Sequence, residues 1–128
     1  MNMTVPSWVG KVEELDATAF NRLARSSNVP ILLYIGAPWC PPCTTMGPAV
    51  EKAAEDFGGH VRVVKVNAAT DSQLLNSLKV AAVPMIVLYG EYGRELGRFL
   101  GNLSAREISR WVRTKFSQEQ QEAYALVS

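Results

Sequence analysis

The chain reads as an α/β domain built on one mixed β-sheet with helices on both faces, and three observations carry that prediction. Apolar, β-branched runs at residues 31–35, 61–66 and 83–89 have the composition of buried strands. Stretches with apolar residues at helical spacing separate them, which calls for parallel pairing through helical crossovers. Near the end, Gly90-Glu91-Tyr92-Gly93 has the composition of a hairpin loop, which calls for antiparallel pairing there.

The elements follow in order. Val5, Trp8, Val9 and Val12, interrupted by Pro6 and Gly10, suggest a short irregular edge strand. Asp16 is the expected N-cap of a helix to about Arg25, with Phe20, Leu23 and Ala24 on one face. Ser26-Ser27-Asn28 ends it, and Pro30 cannot continue it. Residues 31–35, Ile-Leu-Leu-Tyr-Ile, form a central strand closed by Gly36, Ala37 and Pro38. A helix is predicted from about Cys43 to Phe57, with Met46, Val50, Ala53, Ala54 and Phe57 at helical spacing and Pro48 inside it. After the Gly58-Gly59 stop and the second strand, Asp71 is expected to cap a brief helix through Leu74, Leu75 and Leu78. The third strand carries Pro84 near its start, and a hairpin partner is expected around residues 95–100. Ser104 and Glu107 have capping-box spacing, opening a helix that sends Ile108, Trp111, Val112 and Phe116 to the core.

The totals are those of a globular protein. Of 128 residues, 48% are hydrophobic and 20% charged, so one domain over residues 1–128 is expected, its core about 9–116 and its C-terminal extension 117–128. The net charge of +1, with cations spread along the chain, gives no case for nucleic acid or an anionic membrane. The first ten residues lack a basic cluster and an apolar run of signal length, and no run approaches a membrane span. A cytoplasmic monomer is the expectation.

Chemistry concentrates in Trp39-Cys40-Pro41-Pro42-Cys43, which holds both cysteines. A staple is a poor explanation, because closing so short a loop removes little entropy from the unfolded chain. Half a metal site is another reading, but no third cysteine exists and the one histidine, His60, lies beside Gly59 in an expected loop, so no metal is expected. A redox pair needs one cysteine with a lowered pKa. Cys40, at the start of a helix, would gain this from free N–H groups and the helix dipole. Cys43, one turn inside, is expected to be the more buried. Cys40 then attacks a disulfide and Cys43 resolves the mixed disulfide. Pro42 costs nothing at a first helical position, and Pro41 stiffens the turn and removes a further donor.

The motif resembles the active site of the thioredoxin family, with proline where thioredoxin typically has glycine. The likeness runs from about Val9 to Phe116. Pro48 falls where thioredoxins kink their active-site helix, Lys65-Val66-Asn67 resembles their Lys-x-Asn strand end, Val83-Pro84 matches their hydrophobic–cis-proline pair, and Gly101 matches the glycine after their last strand. The resemblance implies a thioredoxin fold and a protein dithiol–disulfide oxidoreductase whose only redox group is the Cys40–Cys43 disulfide, with no other cofactor. It implies a cis bond before Pro84 that opens the Val83 backbone to an extended substrate, and an apolar docking rim of Trp39, Ala37, Val83 and Gly101. Its partners would be protein disulfides and an upstream reductase.

One departure stands out. Thioredoxins carry a buried aspartate six residues before the first cysteine, where this chain has Tyr34. That carboxylate helps to deprotonate the resolving cysteine. Without it, Cys43 must lose its proton to water, to a substrate group or to something near Lys65, which also loses its carboxylate neighbour. Gly36 and Pro38 depart as well, from an aromatic and a polar residue. Two alternatives follow: a periplasmic or membrane-tethered specialist, such as a cytochrome c maturation type whose leader is missing here, and a non-catalytic thioredoxin-like binding subunit.

Overall fold

The structure is a computed structural model, and it describes residues 4–127. Its strands are β1 (Val12–Glu14), β2 (Ile31–Gly36), β3 (Arg62–Asn67), β4 (Met85–Tyr89) and β5 (Glu95–Leu100), and its helices are α1 (Ala17–Ser26), α2 (Pro41–Phe57), α3 (Ser72–Ser77) and α4 (Ala105–Val127). The strands form one five-stranded sheet in the order β1-β3-β2-β4-β5. β1, β3 and β2 pair in parallel, while β4 pairs antiparallel with both β2 and β5. The β4–β5 pair is the expected antiparallel hairpin, but β4 also runs antiparallel to β2 although α3 separates it from β3, so the parallel pairing expected for the third buried strand does not hold.

The centre of the sheet explains the unbroken apolar sequence of β2. Successive side chains leave a strand on opposite faces. Ile31, Leu33 and Ile35 enter one core with Phe20 and Ala24 of α1, Val64, Val66 and Val87. Leu32 and Tyr34 enter the other with Met46 and Val50 of α2, Val63, Ile86, Leu88, and Ile108 and Val112 of α4. All six residues of β2 are buried. Burial of a large aliphatic side chain contributes about 1.5–3 kcal/mol, so β2 alone anchors both layers.

The helix ends obey local chemistry. Asp16 Oδ1 accepts from the Ala19 N–H at 2.8 Å, the expected N-cap. The Asp71 carboxylate reaches α1, accepting from the Ala17 N–H at 3.1 Å, and its backbone oxygen accepts from the Leu75 N–H of α3 at 3.3 Å. A carboxylate is favoured at a helix N-terminus. Ser104 and Glu107 form the reciprocal capping box, at 3.2 and 3.0 Å.

Other expectations shift in position. The edge strand starts only at Val12, because residues 7–10 are turns, with the Val9 and Lys11 N–H groups bonded to Pro6 and Trp8. The hairpin loop contains a short 3-10 turn over Glu91–Gly93, in which Tyr92 takes a positive φ of 59° and its N–H bonds Ser27. α4 continues through the region expected as an extension, and Arg94 on the hairpin pairs with Glu119.

Tyr89 closes β4 with its ring against Phe20, centroids 5.6 Å apart. Its buried hydroxyl has no hydrogen-bond partner among the described residues, and its pKa is pushed up to about 12, first by burial and then by Glu95. Between pH 10 and 12 the unfolded chain therefore gives up a proton that the folded chain keeps, so stability falls as pH rises through that window. The loss reaches about 2–3 kcal/mol. Tyr89→Phe is expected to flatten this alkaline limb in urea melts across pH 9–12, with little cost at neutral pH because it removes an unsatisfied hydroxyl.

Candidate active site

β2 delivers the chain to the cysteines. Beyond Gly36 the backbone turns, the Cys40 N–H bonding the Ala37 carbonyl at 3.2 Å. Cys40 is the N-cap of α2, with extended φ and ψ of −101° and 107°, and Pro41 and Pro42 fill the first two helical positions. The helix thus starts at Pro41, two residues before the expected Cys43, since neither proline loses an N–H that the first turn would use. The Cys43 N–H returns to the Cys40 carbonyl at 3.1 Å. The two sulfurs are joined as a disulfide across a Cα separation of 5.3 Å, inside the usual range. The position at the N-terminus of a 17-residue helix supplies the positive dipole end that favours a Cys40 thiolate.

Burial reverses one expectation. Cys40 is 3% exposed and Cys43 7%, so the first cysteine is the more covered. The reason is local. Cys43 and Thr44 roof a cavity of about 250 Å³ whose lining includes Tyr34, Gly36, Lys65 and Asn67 but not Cys40. Both cysteines pack into the core on the α1 side of the sheet, against which Val83 also packs, and only Cys43 opens on the cavity.

Around the pair, Trp39 stands 69% exposed. The Val83–Pro84 bond is cis, with Pro84 buried and Val83 half-buried. The Gly101 N–H donates to the Pro84 carbonyl at 2.9 Å, and its φ of +122° is one that a side chain would strain. Those contacts bring Gly101 beside Pro84. Ala37, expected on the docking rim, is buried at 8% and lines the cavity instead. Its carbonyl is tied to the Cys40 turn, which draws it inward. His60 is exposed, and among the described residues no group of three or more His, Cys, Asp or Glu is placed to hold a metal ion.

Tyr34 points to the α2 side of the sheet, where its hydroxyl donates to the Cys43 carbonyl at 3.2 Å. It is 2% exposed, and burial raises its pKa, so the phenol stays protonated at neutral pH. Its path depends on Gly36, the next residue on the same face. A Cβ at Gly36 would lie 2.7 Å from Tyr34 Oη and 2.9 Å from Cζ. The glycine makes room for the ring, and the ring reaches the first turn of α2. Lys65 and Asn67 are the β3 register partners of Tyr34 and Gly36, so these four residues share one end of the sheet beneath Cys43.

A thioredoxin family model matches residues 11–114, which span both cysteines and every strand. The chain belongs to the thioredoxin family. Thioredoxin 1 of Nostoc sp. is 27% identical over 92 residues, covering 72% of this chain and 85% of the relative. Thioredoxin of Haemophilus influenzae is 26% identical over 104 residues, covering 81% and 96%. Among solved structures, chloroplastic thioredoxin z superposes with a TM-score of 0.76 at 26% identity, covering 91% of this chain and 99% of that one. With its linked cysteines at the family's active-site position, the chain is a thiol–disulfide oxidoreductase, and thioredoxins act on disulfides of other proteins.

In this thioredoxin-family chain the structure brings Tyr34, Lys65 and Cys43 to one cavity and Val83, Pro84 and Gly101 to one another. Sequence reasoning did not find Thr44 and Asn67 as lining residues. It also did not find the fit between Tyr34 and Gly36, for which the signal was a glycine two positions after a tyrosine in a buried strand. Gly36→Ala is therefore expected to destabilise by about 1–3 kcal/mol as the ring is forced aside. In a Tyr34→Val background the same change should cost much less, and the non-additivity is read from a double-mutant cycle of denaturation midpoints.

Proposed function

We propose that the chain passes electrons to disulfides of other proteins, with Cys40 as nucleophile and Cys43 as resolver. The observation that carries this reading is the placement of Cys40 at the N-cap of α2 with Cys43 one turn inside and already bonded to it. In the reduced protein the Cys40 thiolate attacks a substrate disulfide, breaking its S–S bond and forming a mixed disulfide. Cys43 then attacks Cys40, the substrate leaves as a dithiol, and the protein holds the disulfide. Two electrons move from the protein to its substrate.

Substrate approach is assigned to the same face. In this reading exposed Trp39, next to Cys40, and half-buried Val83 and Gly101 form the rim, and the backbone before Pro84 is the edge to which an extended peptide would add; the cis Val83–Pro84 bond and the Gly101–Pro84 hydrogen bond support it. Pro41 and Pro42 limit the backbone donors that reach the Cys40 sulfur, so the helix dipole carries more of its stabilisation. The dithiol carries both electrons and asks for no metal or organic cofactor. An upstream reductase returns the pair to the reduced state. We place the protein in the cytoplasm as a monomer, where reducing conditions suit such a cycle.

Insulin-disulfide reduction with dithiothreitol tests the reading. Wild type is expected to turn over, and Cys40→Ser to fall to the rate of dithiothreitol alone. Cys43→Ser is expected to trap a mixed disulfide visible by non-reducing electrophoresis. Equal activity of wild type and Cys40→Ser would overturn the enzyme reading in favour of a binding subunit.

A further inference from the structure

The turn of α2 that carries Cys43 lacks part of the support a helix gives itself. Pro48 has no N–H to offer the Thr44 carbonyl, so the ladder is broken one residue after the cysteine. Gly47, just before it, is a weak helix former, and its Cβ position has nothing within 4 Å to pack against. The sheet supplies a brace instead. The Tyr34 hydroxyl, on a side chain only 2% exposed, donates to the Cys43 carbonyl at 3.2 Å. Burial keeps that phenol protonated and therefore a donor. Gly36 leaves the ring its path, since a Cβ there would stand 2.7 Å from Oη. Cys43 is thus bound at two points, its N–H to the Cys40 carbonyl at 3.1 Å and its own carbonyl to β2. Its Cα lies 5.3 Å from that of Cys40, a separation at which the two sulfurs can join. A tyrosine is otherwise a costly choice in a strand buried on both faces, because its hydroxyl must find a partner.

We propose that Tyr34 is a positioning residue for disulfide closure: by bonding the Cys43 carbonyl its hydroxyl holds Cys43 where its sulfur reaches Cys40, and that bond is stronger in the disulfide form than in the dithiol. The inference rests on the reading of Cys40 as nucleophile and Cys43 as resolver. In the mixed disulfide with a substrate protein, the Cys43 thiol gives its proton to solvent. The thiolate electron pair forms the Cys43–Cys40 bond as the bond from Cys40 to the substrate sulfur breaks. The substrate sulfur leaves as a thiolate and takes a proton from solvent, so the cysteine pair ends oxidised and the substrate reduced. Attack within one chain gains its speed from the fraction of time the sulfur stands in line. A tether on the Cys43 backbone raises that fraction without touching the sulfur. By linkage, a bond that closure strengthens must itself favour closure. The hydroxyl therefore makes the protein a stronger reductant of its substrates.

Reaction of the fully reduced protein with one equivalent of dithiobis-nitrobenzoate, an aromatic disulfide, separates the steps. The first release of coloured thiolate marks attack by Cys40, and the second marks closure by Cys43. Tyr34→Phe keeps the ring and its fit against Gly36 and removes only the donor. In that variant the ratio of the second rate constant to the first is expected to fall about fivefold. The equilibrium constant for disulfide formation against glutathione should fall by the same factor, raising the reduction potential by about 20 mV. A merely structural role would lower the denaturation midpoint and leave the rate ratio and the potential where they were, and that result would overturn the proposal. If Tyr34→Phe does not fold, the wild type decides. Its Tyr34 hydroxyl proton, followed by NMR, is expected to exchange with water more slowly in the disulfide form than in the dithiol, and equal exchange would overturn the proposal. The underlying assignment is read separately. A wild type without a second release removes Cys43 as resolver, whereas two releases with an unchanged ratio in Tyr34→Phe remove only the tyrosine.

Discussion

The burial of β2 on both faces is the constraint on which the rest depends. Its six residues must find apolar partners above and below, and this requires α1 on one side and α2 with α4 on the other. A strand so covered must end at the rim of the sheet before its chain can meet solvent. Gly36, Ala37 and Pro38 make that exit, and the cysteines follow at once, at the point where α2 must begin in order to cover the strand that preceded it. The reactive pair lies there because the core has fixed the end of a strand and the start of a helix within a few residues of each other. The dipole that favours a thiolate is thus a product of core packing.

The surroundings of the two sulfurs differ on one side only. Both cysteines belong to the apolar core on the α1 side of the sheet, against which Val83 packs. Cys43 faces a cavity with a hydroxyl, an amide and an ammonium along its walls. That opening accounts for the slightly greater exposure of Cys43, 7% against 3% for Cys40.

Much of this was legible in the sequence because the signals were local. The apolar runs of β2 and β4, the Asp16 cap and the Ser104–Glu107 box depend on residues close together in the chain, and each holds in the structure. What was not legible depends on distant pieces. Asp71 reads locally as a cap for α3, and nothing in that segment signals the bond that its carboxylate accepts from Ala17 of α1, fifty-four residues earlier. The order of burial at the cysteines was set by a cavity between β2, β3 and α2, which no spacing along one segment encodes. The place of Tyr34 in the central strand was readable, but its hydroxyl bond to the Cys43 carbonyl needed the helix laid over the sheet.

The close fit of Tyr34 against Gly36 also ties two positions of the sheet edge to one another. A Cβ at 36 would meet the ring at 2.7 Å from Oη and 2.9 Å from Cζ, so the room available at 36 is decided by what stands at 34. The support that the ring gives to the first turn of α2 is therefore a property of the pair, and neither residue can be redesigned without regard to the other.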